Sequence, residues 1–236
     1  MRTFVRRVGT LLIVGGAGLL LWALVVWQWQ DPLTALYTKY KQHQLASQYS
    51  KHAADFSMLR PASGASLAVM RREIADEAAR YRATSKRGEA IGRIKVRRLA
   101  LNMILVNGTD HDSLTKGPGR DLRTYMPGEN RLVYIAGHRT TYLAPFAHID
   151  SLRRGDGITL ELPYARFDYR VTHHVIVPAD DVAVLRSPDH ELLALQACHP
   201  RFFATHRYIA YARLVRVEPR GGPAYTLATP AVAAGG

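Results

Sequence analysis

Leu192-Leu-Ala-Leu-Gln-Ala-Cys198-His-Pro200 alternates with the period of an extended strand. Successive side chains of a strand point to opposite faces, so Leu193 and Leu195 share one face. Ala194, Gln196 and Cys198 share the other, which sets the thiol opposite the bulkiest apolar residues. Pro200 has no amide proton to give to a ladder, so the strand ends beside Cys198.

The same pattern recurs on both sides from about Ile91. Arg93–Leu99, Met103–Val106, Arg131–Ala136, Gly157–Leu162, Phe167–Val177 and Tyr208–Val217 are short runs rich in Val, Ile, Leu and Tyr. Turn chemistry separates them: Asn107-Gly108, Gly117-Pro-Gly119, Pro127-Gly-Glu-Asn130 and Arg154-Gly-Asp-Gly157. Seven or eight short strands with no long helix between them predict an all-β domain over 91–218, an antiparallel barrel or sandwich.

Upstream, no residue from Val8 to Gln30 is charged, and Leu11–Trp27 is strongly apolar. About 20 such residues span a hydrocarbon core. Arg2, Arg6 and Arg7 precede the run, which predicts a cytoplasmic N-terminus and a chain that is extracellular after Gln30. A cleaved signal peptide would have a shorter apolar core and a small-x-small site, whereas this run ends in Val25-Val-Trp-Gln-Trp-Gln30. Residues 1–30 therefore read as an arginine-tipped, single-pass anchor in the cell membrane. Residues 31–90 read as a helical, polar spacer. Asp31-Pro32 reads as a helix start, and Pro61-Ala-Ser-Gly64 as a break. Leu67, Met70, Ile74, Ala78 and Tyr81 recur at helical spacing, which predicts partial docking on the domain. Residues 219–236, rich in Pro, Gly, Ala and Thr, are expected to be disordered.

The 236-residue chain carries a formal charge of +13. Residues 1–87 hold 13 Lys/Arg against 5 Asp/Glu, and residues 88–219 hold 18 against 14. The surplus thus sits mainly in the N-terminal arm. No aromatic-interleaved basic stripe runs through the β domain, and nucleic acid is not expected as a partner.

Cys198 is the only cysteine, so no intramolecular disulfide forms. A lone thiol is either a small core residue or a nucleophile. Its place at a strand end beside a loop favours the second reading. A nucleophilic thiol needs a charge partner, and the chain offers ten histidines. His138 follows the apolar strand Leu132–Ala136 and a glycine; His199 and His206 lie near the thiol along the chain. Arg139, Arg153, Arg154 and Arg201 read most simply as solvated charges or structural pairs. His148, His173, His174 and His190 read as surface or satisfied histidines. No His/Asp/Glu cluster has metal-ligand spacing, and neither a metal nor another cofactor is expected.

Asn130-Arg-Leu-Val-Tyr-Ile-Ala-Gly-His138-Arg-Thr-Thr141 resembles the histidine segment of sortases, and Cys198-His-Pro-Arg-Phe-Phe-Ala-Thr-His-Arg207 their cysteine-to-arginine segment. The Gly-His-Arg-Thr-Thr and Cys-His-Pro-Arg-Phe strings are most similar to class E, the housekeeping type of high-GC Gram-positive bacteria. The resemblance spans about Gly92 to Val217. It implies an eight-stranded sortase-type β-barrel with Cys198 as nucleophile, His138 as general acid/base, and Arg207 stabilising the oxyanion or the substrate. It also implies secreted protein substrates carrying a Leu-Ala-x-Thr-Gly or Leu-Pro-x-Thr-Gly sorting signal, and a peptidoglycan-precursor amine as acceptor. A pilin-polymerising sortase, a silent scaffold that binds sorting signals, and a plain cysteine hydrolase are the alternatives. One departure stands out: the family usually has Thr before the cysteine, and here the flanking residue is Ala197.

Overall fold

The computed structural model describes residues 2–29, 32–56 and 66–227. Asp31, the Pro61–Gly64 break and residues 228–236 lie outside them. Three helices come first: α1 (Arg2–Trp29), α2 (Pro32–Asp55) and α3 (Leu67–Thr84). The strands follow as β1 (Ala90–Val96), β2 (Leu101–Asn107), β3 (Gly119–Arg120), β4 (Leu132–Ala136), β5 (Gly157–Glu161), β6 (Ala165–Pro178), β7 (Leu192–His199), β8 (His206–Pro219) and β9 (Tyr225–Thr226). A one-turn helix, α4 (His111–Leu114), sits between β2 and β3.

Strand order β6-β5-β1-β2-β3-β4-β7-β8 closes on itself through a β6–β8 pairing. The result is an eight-stranded barrel, with β9 added outside on β8. Inward-facing side chains fill it, among them Ile94, Leu105, Ile135, Leu160, Phe167 and Leu195. Burying each stabilises the fold by roughly 1.5–3 kcal/mol relative to leaving it exposed.

The turn signals predict an antiparallel barrel or sandwich, but the ring is not wholly antiparallel. The pairs β2–β3 and β4–β7 are parallel. β4 and β7 are adjacent in the barrel but separated in sequence by β5 and β6, a crossover of the kind that parallel neighbours need. β3 falls where the sequence reads as a turn, because two residues carry no alternation. Gly119 is required there: a Cβ would lie 2.0 Å from the Gly108 carbonyl oxygen. β1 stops at Val96, and the predicted strand to Leu99 instead turns through a short 3-10 helix, closed by the Ala100 amide donating to the Arg97 carbonyl. Arg98 turns outward there to pair with Asp156.

Both spacer helices lie on the barrel. Ile74, Ala78 and Tyr81 of α3 join its main core, and the Tyr81 hydroxyl donates to the Ile91 carbonyl at 3.0 Å. On α2, Leu45 packs against Ala90, Ile104 and Val106. Thr38 donates to the Thr115 carbonyl at 2.8 Å, and the Gln42 amide group bridges the Ile104 and Lys116 carbonyls. Helix α1 holds a 24-residue stretch, Arg2–Val25, whose most apolar 18-residue window has a mean hydropathy of 2.2 and no buried residue, long and apolar enough to cross a membrane. The tail is ordered further than its composition predicts. The half-buried Tyr225 ring packs on the main core, and the Leu227 amide donates to the Val215 carbonyl. A two-residue strand held by one aromatic leaves no periodicity to read.

Candidate active site

On β7, Leu193, Leu195 and Ala197 are buried in the barrel interior, while Gln196 and Cys198 face outward and remain partly exposed. The outer face holds a second apolar cluster of Leu132, Tyr134, Ala194 and Ile209, flanked by Val184 and Leu185 of the β6–β7 connection. That connection walls a groove of about 280 Å³ whose lining includes Cys198, His138 and Arg207.

Backbone pairing explains why these three meet. β7 and β8 are antiparallel, and Cys198 stands directly opposite Arg207. Nine positions apart in sequence, they become cross-strand neighbours, with Cβ atoms typically ~5 Å apart in such a pair. β4 runs parallel to β7 with Ala136 level with Gln196, and the Gly137 amide donates to the Gln196 carbonyl at 3.0 Å. The next residue, His138, is thereby delivered to the same end of the barrel. Gly137 must lack a side chain, since a Cβ would meet the Phe146 ring at 2.7 Å. Phe146 is fully buried, and its amide donates to the His138 carbonyl, closing the loop after the histidine. His199 and His206, the other histidines near the thiol, do not line the groove.

The His138 ring is half-buried, and its Nε2 is enclosed with no hydrogen-bond partner among the described residues. Burial, and to a lesser degree the charge of nearby His111, hold its pKa below the ordinary imidazole value. Its ring lies 4.9 Å from that of Tyr142. One Arg207 guanidinium nitrogen, Nη1, donates to the Ala204 carbonyl at 2.8 Å and the His206 carbonyl at 3.0 Å. Its remaining donors make no hydrogen bond to protein among the described residues. No group of His, Cys, Asp and Glu able to hold a metal occurs among the described residues.

Arg139, which the sequence reads as a solvated charge or a structural pair, is the second of these and sits beside the thiol. Its side chain is 3% exposed and pairs with Asp150 at 2.7 Å. It also donates to the Cys198 carbonyl at 3.3 Å and contacts His199 Nδ1 at 2.9 Å. Adjacent residues thus serve both sides of the thiol, with His138 in the groove and Arg139 behind the strand. Nothing in the sequence distinguishes this arginine from a solvated one, except its position next to the histidine. Ala197 is fully buried in the core, so a threonine there would bring a hydroxyl into the barrel interior.

A closed barrel with thiol, imidazole and guanidinium converging on one groove defines a class of thiol-centred β-barrel sites. The chain belongs to the sortase family: residues 94–215 match the sortase domain. It is similar to Sortase D of Bacillus subtilis, 33% identical over 132 residues that cover 54% of this chain and 65% of that protein. It is 28% identical to Sortase SrtE1 of Streptomyces coelicolor over 42% of this chain and 31% of that one. The chain therefore spans less than two thirds of the length of either curated relative. In fold it resembles a sortase D5 transpeptidase of Clostridium perfringens, with a TM-score of 0.60, 22% identity, and coverage of 75% of this chain and 99% of that one.

Proposed function

We propose that this chain is a membrane-anchored cysteine transpeptidase that cleaves a sorting signal between Thr and Gly and transfers the new acyl end to a peptidoglycan-precursor amine. The observation that carries this reading is the convergence of Cys198, His138 and Arg207 on one groove at a single end of the barrel.

The chemistry follows from the groups present. The Cys198 proton passes to His138, and the thiolate attacks the Thr carbonyl carbon of the sorting signal. Arg207, with a fixed charge and a fork of donors, faces the developing oxyanion or the adjacent substrate backbone. As the tetrahedral adduct collapses, the C–N bond breaks and His138 returns its proton to the leaving glycine amine. A thioacyl enzyme remains. The acceptor amine then attacks the thioester and loses a proton to His138. The C–S bond breaks, and the thiol is restored once that proton returns to sulfur. Helix α1, with Arg2, Arg6 and Arg7 on the cytoplasmic side, keeps the barrel on the outer face of the membrane, where exported substrates pass. The strings around His138 and Cys198 favour a Leu-Ala-x-Thr-Gly signal.

The test is mass spectrometry of the full-length protein incubated with a Leu-Ala-x-Thr-Gly peptide and either a diamino-acid amine or a lysine-bearing protein. The reading predicts a thioacyl adduct on Cys198 and a transfer product with the small amine. Cys198→Ala abolishes both, while His138→Ala and Arg207→Ala are nearly as severe. Transfer that survives in Cys198→Ala removes the reading. Transfer only to the protein lysine supports pilin polymerisation in its place, and release of free acid alone supports a hydrolase.

A further inference from the structure

The loop after His138 has an unusual backbone. Tyr142, Leu143 and Ala144 are three consecutive non-glycine residues with φ of 53°, 61° and 37°. Left-handed backbone is disfavoured for residues with a Cβ, and three in a row persist only where surrounding contacts fix them. Two of those contacts lie within the loop: the Ala144 amide donates to the Thr141 carbonyl, and the Phe146 amide to the His138 carbonyl. Leu143 anchors the turn on the barrel core. A further contact comes from another part of the chain. The Tyr142 amide donates to Thr34 Oγ1 of α2 at 3.0 Å, across 108 residues of sequence.

Tyr142 in turn covers the histidine, with its ring 4.9 Å from His138 and 6.2 Å from His111. The covalent distance upstream is also short. Thr34 follows Trp29, the last residue of α1, by five positions. Five residues reach at most about 18 Å when fully extended. The turn that carries Tyr142 is therefore tied close to the end of the apolar helix, whatever path the intervening chain takes.

We infer that the first turn of α2 is a working part of the site: Thr34 holds the Tyr142 turn, and the turn seats the aromatic ring that sets the position of His138. Thr34 and Tyr142 are positioning residues. This inference rests on the reading of His138 as the acid/base of the transfer. It makes the histidine's geometry depend on the segment that leaves the membrane, so barrel and anchor act together as one catalyst.

The experiment uses the full-length protein in lipid nanodiscs, with a Leu-Ala-x-Thr-Gly peptide, an amine acceptor, and separate measurement of kcat and KM. Thr34→Val keeps the side-chain shape and removes the acceptor. It is expected to lower kcat about tenfold, as small misplacements of a reacting group do, with the peptide KM unchanged within about twofold. Thr34→Ser restores the acceptor and is expected to restore kcat. Tyr142→Ala is expected to match Thr34→Val, and combining the two to add little, because both act through one turn. Leu45→Ala is the control. It trims the contact of α2 with Ala90, Ile104 and Val106, eleven positions along the helix from Thr34, and is expected to lower Tm without changing kcat. Unchanged kcat in Thr34→Val overturns the inference, as does an equal loss in Leu45→Ala, which would make α2 merely stabilising. Both outcomes leave the transpeptidase reading intact as long as Cys198→Ala is inactive; activity in Cys198→Ala removes that reading itself.

Discussion

The two ends of strand β7 make opposite use of polar groups. Glu191, just before the strand, is buried, and its carboxylate accepts from the Gly128 amide at 2.9 Å, the Asn130 amide at 2.9 Å and the Tyr169 hydroxyl at 2.7 Å. Roughly 20 Å along the strand, the Cys198 thiol has no hydrogen-bond partner among the described residues. Nearby, His138 Nε2 is enclosed and unpaired, and the adjoining turn has three left-handed residues. Where every donor and acceptor is matched, the strand is held. Where they are left open, the chain keeps groups that a substrate can engage. Departures from local consistency concentrate at the end that carries the proposed chemistry.

This contrast can be broken at either end. The largest expected effect is at the satisfied end. Glu191→Ala leaves two amides and a phenol without their acceptor in a buried site, at about 1–3 kcal/mol for each group. A total loss of at least about 3 kcal/mol in urea unfolding is expected, and the molecules that remain folded should keep their kcat. Burial, opposed by the three donors, pushes the Glu191 pKa from its ordinary 4.5 up to about 7. Between those values the native state holds more protons than the unfolded chain. This contribution is complete below pH 4.5 and is lost as pH rises through 7. Glu191→Gln should flatten that slope.

At the open end, Arg139→Met removes the contacts to the Cys198 carbonyl and His199 while leaving the groove side chains in place. A fall in kcat of about 10- to 100-fold is expected, with a smaller loss of stability than in Glu191→Ala. Arg139→Lys cannot reproduce a forked contact and should fall between. Wild-type stability in Arg139→Met combined with wild-type kcat would erase the asymmetry.

The smallest effect is a titration. His138 is held below its ordinary 6.5, so the unfolded chain binds the extra proton first. Stability from this group is present above pH 6.5 and lost as pH falls through the native pKa, the reverse of Glu191. An NMR titration of the His138 imidazole should have a midpoint below 6.5 that rises in His111→Ala, where the neighbouring charge is gone. A midpoint at or above 6.5 in the wild type would contradict the burial argument.

What the sequence made legible follows from the range of each signal. The alternation of Leu193, Leu195 and Ala197 against Gln196 and Cys198 is local, and the barrel uses it as read. Parallel pairing of β4 with β7 depends on which strands become neighbours around the ring, and no single strand records that. Gly119 and Arg120 are too few to show a period, so β3 reads as a turn. Arg139 is buried because Asp150 and the Cys198 and His199 segment enclose it, contacts that spacing does not reveal. The link from Thr34 to Tyr142 is tertiary in the same sense. Motif strings supplied His138, Cys198 and Arg207 together, while strand parity alone left the thiol only favoured and the histidine one of several.

Ring closure has a consequence for recognition. A peptide often binds by adding itself as a strand to a free sheet edge, drawing most of its affinity from main-chain bonds that any sequence can make. Among the described residues, this barrel offers no such edge at the groove. Beyond its short contact with β3, β4 has its ladder groups taken up: the Asp121 and Tyr125 amides donate to the Tyr134 and Leu132 carbonyls, and Ser187 and Thr124 accept from the Leu132 and Tyr134 amides. Under the proposed function, an incoming chain is instead read by side chains such as Gln196, Arg123 and Asp121, which line the groove. Such a surface discriminates between sequences at the expense of generic stickiness, which suits the selective peptide recognition that the proposed function calls for.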